Sequence, residues 1–334
     1  MRKQRNDTLS VLKLFAAYMV VFIHVPFYGR IGVAVDALAR FAVPFFFLVS
    51  GFYSYKITPD KIKHRLFHLL SLLALAAVAY TAYNLLILLV KTGPQATLPY
   101  FQPYLDPTKL VKLLAFNVPV YSSHLWYLLA IVYVYCILLL TTKCRIPEKM
   151  LFGFSLLALL LNLLLGEGLS LFRLSVPRYV IRNFALFGIP FFGLGMLARK
   201  HMDRLSSFSP FVLVGAAVVG VLATMLSCYF VKPNELYLGS LFILFSLVAI
   251  FIRYSTANYP AWRLKLTSCS AYIYIFHRMV SAVLENGYAF LGLNYTSSIT
   301  LQMLHPPVVC VVTTAIAYIP LKVTQKQKEN VASK

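Results

Sequence analysis

The chain has 334 residues, of which 60% are hydrophobic, 15% aromatic and only 12% charged, and 31 Lys and Arg stand against 10 Asp and Glu. A mean hydropathy of +0.76 excludes an ordinary soluble domain. The net charge of +21 would suggest nucleic acid in a soluble chain, but here it falls in short loops between apolar runs, where it sets membrane orientation, so no nucleic-acid partner is expected.

Taken in order, the apolar runs predict an all-α, polytopic membrane helix bundle of about ten transmembrane helices. They lie near residues 9–27, 33–55, 66–90, 124–141, 150–165, 184–198, 210–231, 236–252, 269–290 and 299–321. With the N-terminus inside, twenty Lys and Arg fall in inner loops and eight in outer ones, which puts both termini in the cytoplasm. The five cysteines show no Cys-x-x-Cys spacing, so neither a zinc site nor a disulfide framework is implied.

The first span holds the two residues that organise the reading, Lys13 and His24. Eleven residues are close to three helical turns, so both project from one stripe about 16 Å apart. Ionisable groups aligned in this way read as the two ends of a polar path. The alternatives are that Lys13 snorkels to the headgroups and that His24 is interfacial or caps a neighbouring backbone.

The second span carries Asp36 and Arg40, an i, i+4 pair able to neutralise itself, then Pro44, which predicts a kink, and the small residues Ser50 and Gly51. A basic loop follows, with Lys63, His64 and Arg65 at its end; it suits the phosphates of an acidic cofactor or simply marks the inner side. The long outer segment 92–123, rich in Pro and Tyr around the apolar piece LVKLLAF, looks like a lid or a re-entrant element. His124, Trp126 and Tyr127 open the fourth span at the outer interface, where an aromatic belt explains Trp126 and Tyr127 but not His124.

Arg173, Arg178 and Arg182 crowd an outer loop that should be poor in cations. They form either an anion-binding or sugar-binding rim, or a short interfacial helix whose arginines pack on aromatics and lipid phosphate. His277 and Arg278 fall near mid-membrane and are expected to face the interior, with Glu285 two turns on as the candidate to balance Arg278. No nucleophile elbow and no His-Glu-x-x-His occurs. The Gly193-Leu-Gly195 match to a dinucleotide fingerprint lies inside a span, where it reads as packing. Acidic residues are too few for a carboxylate metal centre, so no metal is expected and histidine is the plausible base.

At these residues the sequence resembles the acyltransferase 3 family, multi-pass membrane proteins that mostly O-acylate surface sugars. The family's arginine, ten residues, then histidine is matched by Lys13 and His24, with lysine in place of arginine. Its aromatic-x-x-Ser-Gly-Phe segment is matched in 46–52, His-Leu-Trp-Tyr-Leu in 124–128, and Ser-x-Tyr-x-Tyr-x-x-His in 270–277; Arg65 fits the basic stretch after the second span. The resemblance implies a membrane-bound O-acyltransferase in a bacterial plasma membrane. It would take acyl-CoA, acetyl-CoA above all, as cytoplasmic donor and the hydroxyl of an extracytoplasmic acceptor as substrate. In that reading Lys13, Lys63 and Arg65 hold the donor, His24 and Lys13 are the catalytic pair, and Arg40, Ser50, His124, Trp126, Arg182, His277 and Arg278 line the substrate path. Within the family, the run RFAVPFFFLVSGFY most resembles the membrane half of the membrane-bound serine racemases of vancomycin resistance, associated with uptake of L-serine. That resemblance divides the chain into a transmembrane domain, 1–322, and a charged cytoplasmic tail, 323–334, that would lead to a fused or associated soluble enzyme domain.

Overall fold

In hydrocarbon every backbone N–H and C=O must find its partner inside the chain, so apolar runs of this length fold as helices. The computed structural model describes residues 7–120, 122–231, 233–255 and 269–332, without the side chains of 96–98 and 320–332. Among the described residues there is no strand. The main helices are α1 Asp7–His24, α2 Gly29–Ala39, α3 Ala42–Phe52, α4 Pro59–Thr92, α5 Pro107–Phe116, α6 Trp126–Lys143, α7 Glu148–Leu163, α8 Ile189–Lys200, α9 Pro210–Phe230, α10 Leu238–Arg253, α11 Ser270–Phe290 and α12 Ile299–Ala332. Each of the ten predicted runs is helical. Among the described residues, seven helical stretches, α2 and α3 counted as one, are long and apolar enough to cross a membrane. Of the other three runs, α8 and α10 have only 12 and 16 residues, and α11 carries Arg278 and Glu285. Several inner-loop cations (Arg2, Lys3, Arg5, Arg263, Lys265), the outer Lys232, and Tyr121 lie outside the described residues, as do the side chains of the charged tail.

The second span is broken outright where a kink was expected. Pro44 has no N–H for the Arg40 carbonyl, and its ring would strike that carbonyl, so the helix stops one turn upstream. Arg40 N closes α2 on Ala37 O at 3.3 Å, and α3 restarts at Ala42. The Asp36–Arg40 pair bridges this end of α2 as the spacing predicts: Arg40 Nη2 lies 2.9 and 2.8 Å from the two carboxylate oxygens, with side chains only 18% and 10% exposed.

The chain divides into two compact units. The first comprises the residues up to Phe46, Met202–Pro233, and those from Tyr237 on. Here α1 packs on α11 and α12, burying Ala17, Val21 and Val25 against Ile273, Val280, Val309 and Cys310. A polar contact crosses between α1 and α12: Tyr18 O–H donates to Thr314 Oγ1 at 2.9 Å, while Thr314 donates to its own Cys310 carbonyl at 2.7 Å. Helices α9 and α10 approach backbone to backbone at Gly220 and Gly239.

The second unit comprises Phe47–His201 and Asn234–Leu236. Helices α3 and α8 meet through Gly51 and Gly195, where any Cβ would collide with the carbonyls of Phe192 and Leu48. At Gly193 a Cβ would collide with Ser155, which bears out the packing reading of the glycine pair. Helix α5 forms from the apolar piece of the outer segment, capped by Asp106, whose side chain accepts from Thr108 N at 2.8 Å. Those hydrogen bonds from Thr108 hold the Asp106 carboxyl below the usual carboxylate range. After α5 the chain turns at Asn117, left-handed at φ 48° and fully buried. Its amide clamps two distant segments: Nδ2 donates to Trp126 O at 3.2 Å and Oδ1 accepts from Phe184 N at 2.7 Å. Asn183 then caps the turn 184–188 that leads into α8, accepting from Ala185 N and Leu186 N, both at 2.9 Å.

Removing one member of a buried ion pair costs more than removing both. Asp36→Ala is therefore expected to destabilise the protein by about 3 kcal/mol, and the double variant Asp36→Ala/Arg40→Met to regain most of that loss, as read by reversible unfolding in mixed micelles. Asn117→Ala leaves a buried N–H and a buried carbonyl without their partner, and the same assay should show a loss of about 3 kcal/mol.

Candidate active site

In the first unit the focus is the carbonyl end of α1. His24 is the last residue of that helix and half-buried. Its ring lies 5.3 Å from that of His277, with the planes inclined at 32°. His277 sits about two turns into α11, on its buried face, and has no exposed surface. Its Nδ1 lies 3.1 Å from Ile273 O and 2.8 Å from Tyr274 O. Carbonyls only accept, so Nδ1 carries the proton and Nε2 of the neutral ring carries the lone pair.

Arg278 does something different from its neighbour. Successive helical residues diverge by about 100°, so His277 and Arg278 do not share the interior. Arg278 is exposed and donates from Nη1 to His24 O at 2.9 Å, satisfying one of the carbonyls that the end of α1 leaves open. The expected Arg278–Glu285 pair is therefore replaced. The nearer acceptor for Arg278 is the His24 carbonyl, and Glu285 is engaged with Ser281 and His305 on its own side, at 2.8 and 3.4 Å. Lys13 lies half-buried on α1, eleven residues before His24, and Arg40 belongs to this unit with its charge matched by Asp36.

The remaining predicted residues belong to the second unit. Arg65 is built in: Nη1 donates to Ser54 Oγ at 2.8 Å and Tyr135 OH at 3.3 Å, and Nη2 to Tyr53 O at 3.0 Å. A guanidinium has five donors. These three bonds fix its plane and leave the Nε–H edge for a ligand oxygen. Lys63 is exposed and lies 3.3 Å from the exposed Asp60, a pairing worth little in water. Ser50 is half-buried on α3 and hydrogen-bonds the Tyr127 side chain. His124 is buried edge-on against Tyr80, ring centroids 4.9 Å apart.

Trp126 is buried between Phe187, at 5.4 Å, and the Arg182 guanidinium, which lies 5.4 Å above its ring. Glu235, itself buried, is 2.8 Å from Arg178 Nε and 3.9 Å from Arg182 Nη1. Arg182 thus packs on an aromatic ring and Arg178 pairs with a carboxylate, while Arg173 is exposed in a left-handed turn at φ 60°.

Sequence reasoning passed over Asn117, Ser54, Tyr135, Glu235 and His305. Two of them had a local signal. An Asn just after an amphipathic helix and before Val-Pro marks a left-handed helix end, and His305 is an imidazole inside an apolar span. The others act through contacts far apart in the chain, such as Arg65 with Tyr135, that no spacing rule reports.

A pair of imidazoles at a helix end can do one thing well: one ring accepts a proton while the face of the other lies close to the charge that forms. The carbonyl end of α1 favours that charge. In comparisons with known proteins, an acyltransferase 3 model described as "Acyltransferase domain" matches residues 6–322. No curated protein and no solved structure matches the chain. The match takes in Lys13, His24 and every other motif-bearing residue. Extending over nearly the whole chain, it makes this helical membrane protein a member of the acyltransferase 3 family, and an acyltransferase by class.

Proposed function

We propose that the protein transfers an acyl group, acetyl in the simplest case, from cytoplasmic acyl-CoA to a hydroxyl of an extracytoplasmic acceptor such as a cell-surface glycan, in a bacterial plasma membrane. The observation that carries this reading is the imidazole of His24 at the end of α1, beside the buried ring of His277 and tethered through its own carbonyl to Arg278. His24 takes the hydroxyl proton as the acceptor oxygen attacks the thioester carbon. The negative charge that develops on the carbonyl oxygen is met by Arg278, which spends one of its five donors on His24 O. Arg40 is the weaker candidate for that role, because Asp36 offsets its charge. Collapse breaks the C–S bond, and the proton held by His24 goes to the departing thiolate. Lys13 is assigned to the donor's phosphates, where lysine supplies a point charge and no bidentate fork; in the second unit Arg65 and the exposed Lys63 are a separate phosphate-binding candidate.

A second reading is favoured by one feature, the break between α2 and α3 beside the Asp36–Arg40 pair. Amino-acid transporters present interrupted helices to the ammonium and carboxylate of their substrate, which suits a serine uptake or substrate-channelling domain.

With purified protein in lipid, His24→Ala should lower acyl transfer from acetyl-CoA by at least about a thousandfold while leaving the unfolding midpoint within a few degrees; retained transfer removes His24 as the base. Calorimetry separates the two readings. Heat of binding is expected with acetyl-CoA, and binding of L-serine with none of acetyl-CoA would reverse their order.

A further inference from the structure

The acidic residue at the far end of α11 is unlike the other carboxylates with an ion pair in the described residues. Asp36, Asp60, Glu148 and Glu235 each face a Lys or Arg. Glu285 does not; Arg278, the arginine on its own helix, reaches to α1 instead. Instead Glu285 is held by one oxygen. Ser281, one turn back on the same face and buried, donates to Oε1 at 2.8 Å. A serine has a single proton, so the imidazole of His305 on α12, whose Nε2 is 2.9 Å from Ser281 Oγ, must donate from that nitrogen. His305 has no exposed surface; its Nδ1 then accepts from Tyr288 OH at 3.3 Å.

Every hydrogen in this cluster therefore points one way, from Tyr288 through His305 and Ser281 to the carboxylate. The arrangement fixes Oε1 and leaves Oε2 without a partner among the described residues, on a side chain that is 44% exposed. Two tyrosines lie near enough to interact with its charge. Tyr288, three residues along α11, and Tyr295 stack at 6.1 Å and 24°, and both lie against His305, at 5.6 and 4.9 Å. Buried donors behind a carboxylate hold it in place, and aromatic faces beside it attract a cation while shedding water from it.

We propose that Glu285, with Tyr288 and Tyr295, is a recognition site for a primary ammonium group. The inference does not depend on the transferase chemistry. Two sources offer the same group: an amino sugar on an acceptor, or the amine of a free amino acid such as L-serine.

The test uses full-length protein in phosphatidylcholine nanodiscs and calorimetric titration with three probes: methyl glucosaminide, its neutral analogue methyl glucoside, and L-serine. At least one amine should bind, the neutral sugar should not, and the amine affinity should fall by about tenfold or more in Glu285→Gln. Glutamine keeps a carbonyl oxygen for Ser281, so the cluster survives, and an unfolding midpoint near that of the parent checks this. Tyr295→Leu should cost a further few-fold. The amine that binds names the source. Equal binding of the amino sugar and its neutral analogue, amine binding unchanged in Glu285→Gln, or no binding of either amine overturns the proposal; acyl transfer from acetyl-CoA, measured on the same preparation, reports separately on the transferase reading.

Discussion

A polar group carried into hydrocarbon must be met by another polar group of the same chain, and nearly every feature of this protein follows from that requirement. Asp36 with Arg40, Tyr18 with Thr314, Arg65 with Ser54 and Tyr135, and Asn117 with Trp126 and Phe184 are each one solution to it. The solutions differ in what they leave over. Asp36 and Arg40 satisfy each other and end a helix. The Glu285 cluster holds only one oxygen of its carboxylate.

The same constraint separates what could be read from the sequence from what could not. The helices and the bounds of most spans were legible because apolar length alone decides them. The Asp36–Arg40 pair was legible because its partners are four residues apart on one helix. So was the Lys13–His24 stripe as a pattern, and with it the family. Partners brought together by folding were not legible: His24 with His277, Arg278 with the His24 carbonyl, and Glu235 with Arg178 are separated by long stretches of chain. The Arg278–Glu285 expectation shows the limit well. A shared helix face makes a contact geometrically open to both residues, but each took the nearer partner offered by another segment or turn.

Close helix packing plays the complementary role. Lipid tails are as apolar as leucine, so apolar side chains alone give helices little reason to associate, and close contact at small residues supplies it. Gly51 with Gly195, and Gly220 with Gly239, bring backbones together within each unit and so fix the rotation of the helices that carry Ser50 and the motif-bearing aromatics.

The divergence of neighbouring side chains on α11 bears on how this protein can vary. His277, Ser281 and Glu285 occupy one face while Arg278 reaches round to α1, so one inserted or deleted residue between positions 277 and 285 would turn the two parts of that helix by about 100° relative to each other. The imidazole pair and the carboxylate cluster could not both survive it. Length changes among relatives should therefore collect in the 291–298 turn beyond the helix, and the eight-residue distance from His277 to Glu285 should behave as a fixed ruler.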